Sequence, residues 1–125
     1  PTRRSSDLPH CVVFLPDIHR LDLEEIGPLF ERHPLFPERV NTEFVLVMDD
    51  RTLSMRVWER GNGETMASGT GACAAAVAAV LNGYCKKDTD ITVKLLGGDL
   101  KVRYSDAGVF LTGSAIKCFD GVVEI

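Results

Sequence analysis

A chain of 125 residues that is 45% hydrophobic and 26% charged, with a mean hydropathy of +0.03, has the profile of one globular domain and excludes a disordered or fibrous chain. The net charge of -4, with Arg56, Glu59, Arg60 and Glu64 interleaved, disfavours nucleic acid as a partner. Residues 65–85 carry no charge, but their apolar part, Ala72 to Leu81, is too short to span a bilayer, so a buried core helix is expected there and no membrane partner.

Residues 1–8 read as a polar lead-in and residues 9–125 as the folded domain. The first residue is Pro1 and not Met, which suggests a fragment or a processed product. The run HCVVFL, His10 to Leu15, is β-branched and aromatic and ends at Pro16-Asp17, as a strand entering a turn does. A short helix follows, with Asp22 as its cap and Glu24 and Glu25 in its first turn. Leu23, Ile26 and Phe30 recur at helical spacing before Pro34 stops it.

NTEFVLVMD, Asn41 to Asp49, and LSMRVWER, Leu53 to Arg60, form an expected hairpin across a polar connection. In the second run Leu53, Met55, Val57 and Glu59 share a face, because side chains alternate along a strand. If that face is buried, it delivers the Glu59 carboxylate inward at the strand's end. A frayed end with a solvated glutamate fits the same periodicity.

The next helix is expected over Gly71 to Asn82, with Gly83 as its left-handed terminator. Its alanines and valines surround the axis instead of forming a stripe, so strands should enclose it. The remainder reads as a meander: ITVKLL, DLKVRY, VFLTG and AIKCFDGVVEI, separated by glycine-containing turns. The expected fold class is α+β, mostly antiparallel strands wrapped around a central α-helix.

Gly69, Thr70 and Gly71 lead into that helix, whose first N–H groups lack intrahelical partners and whose dipole is positive there. Such an end holds a carboxylate or phosphate. The same residues also suit a tight turn with Ser68 or Thr70 at the cap. GTGACA fits the loose pattern G-x-G-x-x-A, but no parallel strand immediately precedes it and no ribose-binding acid follows, which argues against a dinucleotide. The four cysteines, Cys11, Cys73, Cys85 and Cys118, form no CxxC pair, so reduced thiols of a cytoplasmic protein and no metal site are expected.

The segment ERGNGETMASGTGAC, Glu59 to Cys73, closely resembles the ERGxGETxACGTGAC signature of the diaminopimelate epimerase family. PHCVVF, HPLFPERVNTEF, LLGGDL and LTGSA resemble that family's other segments in the same order. The resemblance implies the C-terminal half of a two-domain fold, with the active site in the cleft between the halves. It implies a cofactor-independent isomerase that interconverts LL- and meso-diaminopimelate, in lysine and peptidoglycan precursor biosynthesis. By the same resemblance Asn41, Glu59 and Arg60 bind the amino-acid substrate, Gly69 and Thr70 donate to its α-carboxylate, and His10 and Glu59 lie at the reacting centre.

That chemistry uses two cysteines on opposite faces of the α-carbon, and the second of them falls on Ser68. A serine hydroxyl is a far weaker acid than a thiol and needs a partnered base. Ser68 therefore reads as an engineered change, as a natural variant or same-fold isomerase without cysteine pairs, or as the mark of a non-catalytic amino-acid-binding domain. The family's Gly-Asn-Pro-His is Asp7-Leu8-Pro9-His10 here, which removes a substrate-binding amide at Leu8. Cys73, Cys11, Cys85 and Cys118 are expected to be packing residues, and His19 and His33 ordinary loop or helix-end histidines. The chain alone is expected to be inactive, its partners being a small amino acid and an N-terminal domain. An apolar face towards that domain could also drive formation of a homodimer.

Overall fold

β-branched and aromatic residues alternate along the first three long strands, and in the computed structural model each run is extended. The structure describes residues 10–35, 40–66, 68–112 and 116–119, with Thr112 and the last four described by their backbone alone. The polar lead-in, the change at Leu8, the Cys118 side chain and the chain beyond Phe119 lie outside them. In order come β1 (His10–Phe14), α1 (Leu23–Glu31), β2 (Asn41–Asp49), β3 (Thr52–Glu59), β4 (Gly63–Thr65) and α2 (Gly69–Leu81). The meander follows as β5 (Asp90–Leu95), β6 (Gly98–Ser105), β7 (Gly108–Thr112) and β8 (Ile116–Phe119).

The strands form one sheet in the order β1-β2-β3-β5-β6-β7-β8, with β4 paired to β3. β1 and β2 run parallel, as do β3 and β5; the other pairs are antiparallel. The fold is α+β, as expected. The sheet curls around α2, which touches β1, β2, β3, β5, β6, β7 and β8.

Small side chains allow this enclosure. Gly71 to Ala79 are all buried, and β-strand residues Val45, Leu53, Met55, Val57, Ile91, Val93, Val102 and Val109 pack against them. The alanines let strands approach the helix axis from several sides, where bulkier residues would force them apart. Gly83, with φ of 81°, sits just past the C-cap, and Tyr84 N–H donates to Ala79 O at 2.8 Å in closing the helix.

The outer face of β2 and β3 carries the second core, Ile18, Leu23, Phe44 and Trp58, beneath α1. Asp22 occupies the N-cap of α1, but its side chain makes no capping hydrogen bond, contrary to expectation. Arg56 anchors the preceding loop instead: its guanidinium donates to Ile18 O at 2.9 Å and Leu21 O at 2.8 Å. It also forks onto both Glu64 oxygens, at 2.8 and 2.9 Å. Strand β4, absent from the sequence expectation, supplies Glu64.

Candidate active site at the N-terminus of the central helix

The expectation that the helix starts at Gly71 is corrected by two residues. Gly69 and Thr70 are already helical, and Ser68 is the N-cap, with φ of -151° and ψ of 105°. Serine wins this position because its hydroxyl accepts from Gly71 N–H at 3.0 Å, satisfying one of the helix's orphan donors. The N–H groups of Gly69 and Thr70 have no acceptor among the described residues. They retain the anion-binding capacity of a helix start, whereas that of Gly71 is taken.

Three strand ends surround this helix start. His10 opens β1 and pairs in register with Asn41, the first residue of β2. Thr42 pairs with Trp58, which brings Asn41 beside Glu59, the last residue of β3. Asn41 Oδ1 then accepts the Arg60 backbone N–H at 2.6 Å. His10, Asn41, Glu59, Arg60, Ser68, Gly69 and Thr70 thus meet at one end of the domain, although up to 60 positions separate them in sequence.

The face bearing Leu53, Met55 and Val57 is fully buried, and Glu59 at its end is half-buried. Its carboxylate therefore stands at the rim of the core and not within it. Arg60 is half-buried and Thr70 exposed.

Glu43 is the residue that sequence reasoning missed. It is fully buried between Asn41 and Val45 on the inward face of β2, and its Oε1 is hydrogen-bonded to His10 Nδ1. Its Oε2 has no partner among the described residues. The side chain lies against the helix start, since a Cβ added at Gly71 would meet Ser68 Oγ at 2.8 Å and Glu43 Cγ at 3.4 Å. Glycine at 71 makes room for both the cap and the carboxyl. Burial pushes the Glu43 carboxyl up to about 7, the bond and charge of His10 oppose this, and the nearby Glu59 charge adds to it. The signal was present as an acid in the alternation Asn41-Glu43-Val45-Val47.

The described cysteines stand apart from this chemistry. Cys73 is fully buried on α2, and Cys85 is buried with its thiol pushed up by desolvation and then by Asp50 and Asp49. Half-buried Cys11 is pushed up by desolvation and by Glu43. His19 and His33 are exposed; His19 N–H donates to Asp17 Oδ1 and His33 Nδ1 accepts from Leu35 N–H. Among the described residues no helix is long and apolar enough to cross a membrane.

Comparison with known proteins places this geometry in context. The profile of the family described as diaminopimelate epimerase matches residues 5–118. The diaminopimelate epimerase of Acetivibrio thermocellus is 53% identical over 119 residues, a match covering 94% of this chain and 42% of the relative. That of Methanococcus maripaludis is 50% identical over 119 residues, with the same coverage of 94% and 42%. The chain thus spans well under half the length of these relatives. Among solved structures, a phenazine biosynthesis protein of the PhzF family from Enterococcus faecalis superposes with a TM-score of 0.62 at 15% identity, over 88% of this chain and 39% of that one. A second such protein, from Clostridium difficile, gives 0.56 at 20% identity, over 82% and 36%. At these identities the likeness concerns the fold alone.

Proposed function

The chain belongs to the diaminopimelate epimerase family, and from that premise we propose that it supplies one wall of a cofactor-independent epimerase site, the opposite wall coming from a second domain. The substrate is diaminopimelate, and the reaction inverts its α-carbon by proton removal on one face and proton return on the other. The observation that carries this reading is the pair of N–H groups at Gly69 and Thr70 that have no acceptor among the described residues, set beside the strand ends bearing His10, Asn41 and Glu59.

In this reading the α-carboxylate docks on the Gly69 and Thr70 N–H groups, where the helix dipole stabilises it. Asn41 spends its carbonyl oxygen on Arg60 N–H, so its amide N–H groups remain to contact the substrate. Arg60 and Glu59 add opposite charges suited to a zwitterionic amino acid. His10 and Glu59 flank the reacting carbon. When the Cα–H bond breaks, its electron pair stays on carbon beside the carboxylate, and the proton passes to a base. A proton delivered to the opposite face completes the inversion.

Ser68 stands where a thiol would perform one of these transfers. Its hydroxyl is a poor acid and already serves as the helix cap. The chain is therefore inactive as it stands, and the capped serine favours a second reading, an amino-acid-binding domain that performs no exchange. The two separate in a protein that joins this chain to the N-terminal half of a relative and carries Ser68→Cys. Deuterium appearing at the α-carbon of diaminopimelate in D2O supports the enzyme; binding without exchange supports the binder.

A further inference from the structure

Glu43 belongs to no step above, yet a buried ionisable group with one oxygen that has no partner among the described residues is costly to retain. We propose that Glu43 is a positioning residue: its carboxylate accepts the Nδ1 proton of His10, fixes the ring and its tautomer, and leaves Nε2 as the nitrogen able to accept a proton. The inference rests on the reading that His10 lies beside the reacting carbon.

The geometry supports it in three ways. His10 and Glu43 project from neighbouring parallel strands held in register by the His10↔Asn41 and Val12↔Glu43 pairs, so the contact spans one strand gap diagonally. Both side chains are almost wholly shielded from water, 2% and 0% exposed, so neither ring nor carboxyl has solvent as an alternative partner. Among the described residues, the groups that bear on Glu43 leave His10 as its hydrogen-bonding partner. From β3 comes the half-buried Glu59, which repels it. The α2 side offers Ser68, whose hydroxyl hydrogen-bonds Gly71 N–H, and glycine at 71. From β1, besides His10, comes the half-buried Cys11 thiol, whose ionisation burial and the Glu43 charge both oppose. A histidine whose Nδ1 is held by a carboxylate keeps a single tautomer, and Nε2 becomes the basic position.

The test is a nitrogen-15 NMR measurement of the His10 ring in the 125-residue chain without substrate, at pH near 9, where Glu43 is ionised. Wild type is expected to show a protonated, pyrrole-type Nδ1 and a pyridine-type Nε2. Glu43→Gln, which keeps an acceptor oxygen, should retain that pattern, and Glu43→Leu should shift the proton to Nε2. A wild-type ring protonated on Nε2, or one pattern in all three proteins, would overturn the proposal; the wild-type spectrum alone decides if the leucine variant fails to fold. The underlying reading fails separately. If His10→Gln leaves proton exchange intact in the joined two-domain protein with Ser68→Cys, His10 has no part in the chemistry and Glu43 loses its role with it. The wrong tautomer removes the proposal and leaves the functional reading standing.

Discussion

Asn41 Oδ1 accepts the backbone N–H of Arg60 at 2.6 Å, and this bond ties the first residue of β2 to the residue that leaves β3. The tie uses the backbone N–H of Arg60, so this bond itself survives replacement of the side chain. Arg60→Ala and Glu59→Gln are each expected to weaken diaminopimelate binding by roughly tenfold or more, the worth of one charge-assisted contact, in a domain that stays folded, with the melting temperature read alongside. Asn41→Ala should lower both, because it also leaves the Arg60 N–H without this acceptor. Calorimetric titration and thermal melts of the joined protein check this, and unchanged affinity in both charge variants would remove the site assignment.

Ser68 has a measurable structural duty. Removing its hydroxyl in Ser68→Ala exposes the Gly71 N–H and should cost about 1 kcal/mol of unfolding free energy, whereas Ser68→Gly should cost only a few tenths. Ser68→Cys is expected to fall nearer the alanine variant, because sulfur is a weak acceptor. Urea titrations of the three variants would show equal stabilities if the cap carried no weight.

The Glu43 carboxyl lies at about 7 in the folded protein against an ordinary 4.5. Its proton is held more tightly in the folded than in the unfolded chain. The stability this gives is fully present below pH 4.5 and is lost as pH rises through about 7. Glu43→Gln does not titrate at this position. The stability of wild type relative to that variant should therefore decline over this window, by at most about 3 kcal/mol. Denaturant unfolding of both proteins at pH 5 and pH 8 measures the difference, and a difference that is flat or rises with pH contradicts it.

Gly27 lies in the middle of α1 with the Trp58 indole against its Cα, so an added Cβ would come within 2.6 Å of Trp58 Cε2 and Cε3. The indole cannot swing away freely, because its Nε1–H donates to the buried Glu31 carboxylate at 2.9 Å. Gly27→Ala should thus destabilise the domain by roughly 1–3 kcal/mol through overpacking, against the gain in helix propensity that alanine normally brings. Unfolding followed by the fluorescence of Trp58, the chain's one tryptophan, tests this; a stabilised variant would show that α1 shifts to make room.

The elements were largely legible in the sequence because their signals are local. The strand-like runs Asn41–Asp49 and Leu53–Arg60 marked the hairpin, whose second strand forms over Thr52–Glu59, and the charge-free alanine run ending at Gly83 marked an enclosed helix. The helix start was misplaced by two residues because the same glycines suit a turn and a first helical turn alike. The cap geometry of Ser68 decides between them, and its partner is three positions away. Strand β4 went unseen because three residues carry no readable period, and its pairing with β3 forms only once the chain turns back at Gly61 and Gly63, with φ of 82° and 84°.

Sequence by itself determined the fold class, the family and the residue types at the helix start, since periodicity, glycine placement and ordered motifs are properties of the chain as written. Only the tertiary structure decided that Glu43 is buried against His10, that Gly71 N–H is already satisfied, and that Glu59 stands at the rim of the core. These depend on which atoms meet across strands and helix ends far apart in sequence, and burial and hydrogen-bond partnership exist only once those surfaces close on one another.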